Sequence, residues 1–243
     1  MIRTAISTDF VRPTKTESDV RIASLRRAYG ENVPFVRYYS DGAGGMLSIM
    51  DGVAVFSPCD EVTEEWHAFI CMNPDIQKIH CDAEIGQALC KMSGWICRCG
   101  TVLRYDGEEA SPSNVACRLP SLPAVYDLLV TCFDTMPSLN AWYPDASHRI
   151  RHGCCHIASV VEDGTVVSTA MTVAEADDAV ILGQVATADT HRRRGLAANC
   201  IRDVISQCKV DTLYILPVNE AAERLYRSLG FIPCGGWAEL ERT

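Results

Sequence analysis

The stretch THRRRGLAANC, Thr190 to Cys200, places three arginines directly before a glycine and then opens an apolar run. That order of residue types suits the capture of an anion. A helix that begins at the glycine exposes up to four unpaired backbone amides and about half a positive charge at its N-terminus, so it can receive a phosphate without any side chain. Gly195 has no Cβ to stand between ligand and amides, and Arg192, Arg193 and Arg194 add charge at the rim. A pyrophosphate is of the right size for such a turn. The competing reading is a solvated charge run in front of a helix-starting glycine.

The rest of the chain limits what the anion can be. With 31 acidic against 22 basic side chains the formal net charge is -9, which excludes a general attraction to nucleic acid and leaves the arginines a local partner. MIRTAISTDF lacks the apolar core of a signal peptide, and no stretch approaches the roughly 20 apolar residues of a spanning helix. The expectation is a cytoplasmic monomer or homodimer that meets neither nucleic acid nor membrane. The 13 cysteines are scattered without CxxC blocks, so no metal site is expected. Cys97 and Cys99, two apart, share one face of a strand.

The elements that must position the arginine turn alternate between strand and helix. CHIASVVEDGTVVSTAMTV, Cys155 to Val173, reads as two strands joined at Glu162, Asp163 and Gly164, a hairpin signal. An acidic turn at Glu175 to Asp178 leads to AVILGQVAT, Ala179 to Thr187, apolar at nearly every position and therefore a central strand feeding the arginines. From Leu196 the apolar residues recur at 197, 200, 201, 204, 205 and 208, the period of a helix with one buried face. TLYIL (Thr212 to Leu216) is a short strand, NEAAERLYRSLG (Asn219 to Gly230) a helix with an asparagine cap and a terminal glycine, and FIPCGGWAEL an extended run. Upstream, PAVYDLLVTCF and SLNAWYPDASHRI read as covering helices.

The first half echoes the second. LCKMSGWICRCG, Leu89 to Gly100, aligns with LYRSLGFIPCGG, Leu225 to Gly236, at a constant offset of 136 residues, matching Gly94 to Gly230 and Trp95 to Phe231. A helix, aromatic turn and strand built twice accounts for it. The arginine turn is not repeated: the corresponding first-half stretch is VFSPCDEVTEE, Val55 to Glu65. DGEEASPSN, Asp106 to Asn114, is the expected boundary, giving halves of 1–110 and 111–243.

Arg192, Arg193, Arg194, Gly195, Leu196 and Ala197 after a central strand, with Asn219, Ala221, Ala222, Leu225, Tyr226 and an LGF turn at Leu229 to Phe231 further on, resemble the signature of the GNAT superfamily of acyl-CoA-dependent N-acetyltransferases. The resemblance covers about Ala116 to Glu241, and the first half looks like a degenerate copy. It implies an α/β fold whose mixed, mostly antiparallel twisted sheet is flanked by helices, here as two halves in tandem. It further implies acetyl-CoA as cosubstrate, its pyrophosphate on the amides of Arg193 to Ala197 with Arg192 at the rim, and its pantetheine arm along Val185, Ala186 and Thr187. Asn219 would bond the same arm or serve as a plain helix cap. Tyr226 would protonate the departing thiolate or be an interfacial packing tyrosine.

The implied reaction is acetyl transfer to a primary amine of a small molecule or peptide, by direct attack in a ternary complex. The alternative is a non-catalytic acyl-CoA-binding module. The resemblance implies a general base, which in many relatives is a glutamate on the central strand reaching the amine directly or through water, but AVILGQVAT offers only Gln184. Glu175 in a solvated turn, His152, His156, His191 or water are the remaining candidates.

Overall fold

The structure, a computed structural model, describes residues 1–11, 14–57, 62–91, 94–107 and 121–242. Most of the expected boundary stretch, from 108 to 114, and residues 58–61 of the first-half counterpart of the arginine turn lie outside the described residues. In chain order the elements are β1 (Arg3–Thr4), α1 (Glu17–Tyr29), β2 (Val36–Ser40), β3 (Met46–Met50), β4 (Val53–Ser57), α2 (Glu64–Met72), β5 (Lys78–Asp82), α3 (Ala83–Cys90) and β6 (Trp95–Tyr105). There follow α4 (Leu122–Cys132), α5 (Leu139–Arg151), β7 (Ile157–Glu162), β8 (Thr165–Glu175), β9 (Ala179–Thr187), α6 (Leu196–Gln207), β10 (Thr212–Ile215), α7 (Glu220–Ser228) and β11 (Phe231–Arg242). The fold is thus α/β, with mixed and mostly antiparallel strand pairing flanked by helices. By contacts the chain forms two compact units, one of Met1–Arg104, Leu216–Glu220 and Pro233–Thr243, the other of Tyr105–Ile215 and Ala221–Ile232.

The chain runs through the same series of elements twice. In the first, β4 is followed by α2 and β5, which pairs parallel with β4, and then by α3 and β6. In the second, β9 leads through α6 to β10, again parallel to its predecessor, and then through α7 and a turn to β11. Directly before the last strand of each series stands a left-handed glycine, Gly94 at φ 101° and Gly230 at φ 98°. These are the glycines that the 136-residue offset aligns, and only glycine adopts that backbone without steric cost.

In the first unit β1 to β4 pair antiparallel in sequence, and β5 pairs antiparallel with β11 through Ala238↔Cys81 and Leu240↔Ile79. Its core gathers Leu47, Phe56, Trp66, Ile70, Ile79 and Leu240, each 1% exposed or less. Burying a side chain of this size stabilises by about 1.5–3 kcal/mol. Parallel pairing of β4 with β5 ends at Val55↔His80, although both strands continue to Ser57 and Asp82. The first turn of α1 meets those strand ends. Ser57 donates to Asp19 at 2.6 Å, Ser18 to Asp82 at 3.5 Å, and His80 contacts Glu17, which Arg21 also engages at 2.7 Å. The sequence places this turn by a capping box, in which Thr16 accepts from the Asp19 amide and Asp19 from the Thr16 amide.

Burial works against the Glu17 charge, but Arg21 and His80 outweigh it and hold the carboxyl at about 2. Burial, with Glu17 close by, pushes Asp82 the other way, to about 6. A carboxyl raised above its unfolded value near 3.9 costs nothing while protonated and opposes folding increasingly as pH rises through 6. Asp82→Asn is therefore expected to stabilise the protein by about 1–2 kcal/mol at pH 8 and hardly at all at pH 4, discounted for partial exposure. Urea melts at the two pH values check this, and an equal effect at both would refute it.

In the second unit the strand order is β7, β8, β9, β10, antiparallel up to β9. Seven consecutive residues of β8, Val166 to Thr172, are buried, so both faces of the strand are covered. Val125 and Leu129 of α4 and Trp142 of α5 pack with Ile157, Met171 and Ala186. From α6, Leu196, Cys200, Ile201, Val204 and Ile205 are buried against β7, β8 and β9, as the helical period predicts.

Candidate functional site

The site begins in β9, whose pairing with β8 carries two irregularities. Thr169 faces Ala186 and Met171 faces Gly183, so Gln184 and Val185 together oppose Ala170 alone. This is a β-bulge, and Gln184 takes the left-handed backbone it requires, at φ 46°. Bulges bend and twist their strand away from its neighbour. Accordingly the parallel pairing with β10 stops at Leu182↔Ile215, while β9 runs on to Thr187 with no β10 residue beside it. The burial of β9 changes at the same point: Ala179 to Leu182 are buried, whereas Gly183, Gln184, Val185 and Thr187 are partly open.

Gln184 is held in place across the unit, where its Oε1 accepts from Trp142 Nε1 at 3.2 Å. Trp142 is itself buried and packs against Tyr126 at a ring separation of 5.6 Å. Among the described residues, none of Glu175, His152, His156 and His191 hydrogen-bonds Gln184.

Beyond β9 a short 3-10 turn, Asp189–His191, leads to the arginines. Arg193 has φ 66° and Gly195 φ 77°, and Gly195 is the cap residue of α6. Among the described residues no side chain caps the helix, and a Cβ built on Gly195 would meet nothing within 4 Å. Successive amides in such a turn at a helix start form an anion-binding concavity.

The three arginines are not equivalent. Arg192 is tied to Asp189 at 2.6 Å and donates to the Thr187 carbonyl at 3.3 Å. Arg194 forms a two-pronged pair with Glu162 at 3.1 and 2.8 Å, and His191 lies 3.4 Å from the same carboxylate. Arg193, exposed, has no ion-pair partner among the described residues. Glu162 escaped the sequence reading because its relation to Arg194 is made in space. It ends β7 at a two-residue turn, Asp163 at φ 49° and Gly164 at φ 78°, which is the primed hairpin that Asp-Gly specifies.

Tyr226 lies on α7, 6% exposed, its ring 6.1 Å from that of Phe231. Burial pushes its phenol up to about 12. Asn219 stands directly before α7, the position of a helix cap.

Glu175 requires a correction. It is not in a solvated turn but closes β8, 2% exposed, paired in register with Val180. It accepts from the His156 amide at 3.0 Å and from His156 Nδ1 at 2.8 Å, with the Thr172 hydroxyl also in contact. Burial works against its charge, but these bonds outweigh burial and hold the carboxyl below its ordinary value. The His156–Glu175 pair thus sits at the start of β9. Thr187 is seven residues along the strand from Val180, roughly 23 Å at the usual rise. His152 ends α5, donating through Nδ1 to the His148 carbonyl at 2.8 Å with the two rings 4.1 Å apart. The structure therefore gathers Gln184 to Thr187 and the arginine turn along one strand and loop, ties His191 to the arginine turn through Glu162, and leaves the other base candidates elsewhere.

No helix among the described residues is long and apolar enough to cross a membrane, and no group of three metal-ligating side chains occurs among them. Comparison with known proteins agrees with the fold. The chain is similar to a GCN5-related N-acetyltransferase from Sphaerobacter thermophilus, with TM-score 0.60 at 14% identity over 100% of this chain and 95% of that one. It is likewise similar to one from Kribbella flavida, with TM-score 0.59 at 18% identity over 82% and 86%. A tandem GNAT protein from the clavulanic acid biosynthesis pathway matches 90% of this chain and 86% of its own, with TM-score 0.57 at 12% identity. No curated protein matches the sequence significantly. The profile of the acetyltransferase (GNAT) family matches residues 122–231, which span the covering helices, the bulged strand, the arginine turn and Tyr226. These residues form a GNAT acetyltransferase domain within the chain.

Proposed function

We propose that the chain is a cytoplasmic N-acetyltransferase, moving an acetyl group from acetyl-CoA to a primary amine of a small molecule or peptide. The observation that carries this reading is the edge of β9 from Gly183 to Thr187, which β10 does not pair, leading through a short turn to a helix start at Gly195 that no side chain among the described residues caps. An extended, amide-bearing arm can add to that edge as a further strand would, and a pyrophosphate suits the turn that follows. The residues present fit the cosubstrate: an exposed edge, free space over Gly195 and one uncommitted cation, Arg193.

In this reading Val185, Ala186 and Thr187 hold the arm, and the amides from Arg193 to Ala197 hold the pyrophosphate, with Arg192 and Arg194 at the rim. Asn219 bonds the arm through its amide. Acetyl-CoA supplies the activated acyl group as a thioester. A backbone amide of Val185 to Thr187 polarises its carbonyl, and Tyr226 offers its phenolic proton to the leaving sulfur. Gln184, engaged by Trp142 and unable to ionise, positions rather than deprotonates. The amine is taken as its neutral fraction or gives its proton to water, so the pH optimum lies on the alkaline side. The halves at 1–110 and 111–243 divide the work, and only the second binds the cosubstrate.

Two results test the binding site. Calorimetry is expected to give one CoA per chain, because α1 occupies the strand ends in the first unit where β9 is open in the second. Two sites would refute that argument. The arginines predict effects of opposite sign. Arg193→Gln is expected to weaken CoA binding about three- to tenfold, whereas Glu162→Gln, which releases Arg194, strengthens it about two- to fivefold at low salt. Both effects shrink as salt rises, and equal effects of the two substitutions would place the anion elsewhere. The reaction itself is tested by following CoA release across free amines, amino acids, aminoglycosides and peptide N-termini. Binding of acetyl-CoA without turnover on any acceptor would mark the chain as a binding module instead.

A further inference from the structure

The first unit carries a thiol pair that the acyl-transfer reading does not use. Cys97 and Cys99 stand on the same face of β6, and their sulfurs lie 3.4 Å apart. Cys99 is exposed, whereas Cys97 is half-buried at the margin of the Leu47–Phe56–Trp66 core, where Cys90 of α3 also packs. Arg98, between them in sequence, points its side chain to Glu239 of β11 at 2.5 Å, which fixes the strand so that both thiols face the same side. None of the 11 described cysteines is in a disulfide.

We propose that Cys97 and Cys99 form a reversible dithiol–disulfide site that exchanges with low-molecular-weight disulfides such as oxidised glutathione. The Cys99 thiolate attacks one sulfur of the small disulfide, forming a mixed disulfide and releasing one glutathione thiolate. Cys97 then attacks the Cys99 sulfur, its proton passing to the departing sulfur of the second glutathione, and the Cys97–Cys99 bond closes. The pair is oxidised by two electrons and the small disulfide is reduced by two, so nothing further is consumed.

Geometry sets the character of the bond. Residues two apart in a strand have Cα atoms roughly 6.6 Å apart, near the upper limit for a disulfide of about 6.8 Å. The sulfurs must close from 3.4 Å to about 2.05 Å, which draws the strand inward at Arg98. Strained and exposed disulfides are the easily reduced ones, so the site responds to the glutathione ratio rather than remaining locked. The environment also orders the two steps. Burial, and then hydrogen bonding to Cys99 and Cys90, pushes the Cys97 thiol up to about 12, so it does not attack first and gives up its proton only as the second bond forms. Cys99, the exposed member, is the nucleophile that meets the small disulfide, and Cys97 resolves.

The test uses the full chain in its folded state, verified by circular dichroism, exposed to oxidised glutathione, alkylated and digested with trypsin. Arg98 separates the pair, so the expected product is peptide 92–98 joined to 99–104, or an uncut 92–104 lacking two hydrogens, restored by reduced glutathione. Cys99→Ser is expected to abolish this product and Cys90→Ser to leave it. A glutathione adduct on Cys99 that never resolves would overturn the proposal. So would a bond from Cys97 to Cys90, or full alkylation under conditions that oxidise free dithiothreitol.

Discussion

Gly195→Val is expected to lower affinity for CoA by about ten- to a hundredfold while leaving a folded protein. Two physical effects combine. Gly195 sits at φ 77°, in the left-handed region, where an L-residue loses about 1–2 kcal/mol and a β-branched one more. The variant should therefore be less stable by about 1–3 kcal/mol, because the helix start must either keep the strain or relax. The added Cβ meets no atom within 4 Å among the described residues, so the fold itself presents no clash there. Within the proposed reading that space belongs to the pyrophosphate, and the side chain would stand in it. Gly195→Asn separates the two effects, since asparagine tolerates the left-handed backbone but still carries a Cβ. Calorimetric titration with CoA, beside urea melts, reads both quantities. If folded valine and asparagine variants bind as the parent does, the anion sits elsewhere and the arginines are a solvated run.

Tyr226→Phe is expected to lower kcat by about ten- to a hundredfold with little change in affinity for acetyl-CoA. The ring, which packs against Phe231, is retained, and the hydroxyl has no hydrogen-bond partner among the described residues. Stability should therefore be unchanged. The effect is small for a general acid because a thiol near 8.5 is already a fair leaving group at neutral pH. Burial acts in the same direction: a phenol pushed up to about 12 is a weak acid and helps mainly as a hydrogen-bond donor to the developing thiolate. It also stays protonated throughout an ordinary assay range, so the parent profile should show no alkaline limb from Tyr226. Steady-state turnover as a function of pH, with a binding titration for both proteins, checks all of this. Undiminished turnover in a folded variant with unaltered affinity would make Tyr226 a packing residue and leave the proton to water.

What the amino-acid sequence determined by itself was local or periodic. The apolar spacing from Leu196 defined the buried face of α6, Asp163-Gly164 specified its hairpin, and Gly195 and Gly230 marked the left-handed ends of elements, because each depends on the backbone preferences of a few adjacent residues. The 136-residue echo was legible for the same reason, since a left-handed glycine followed by an aromatic residue leaves a signature wherever it is built.

The tertiary structure decided what depends on partners distant along the chain. The bulge at Gln184 appears only when β9 is laid against β8, and the open edge only when β10 is seen to stop. AVILGQVAT reads as apolar at nearly every position and hides both. Charge was the least legible property. Three adjacent arginines looked equivalent until Asp189 and Glu162 neutralised two of them. Glu175 looked solvated until Thr172 and His156 closed around it. A carboxylate's strength and reach are set by its desolvation and by the donors that surround it, and neither is written in its immediate neighbours.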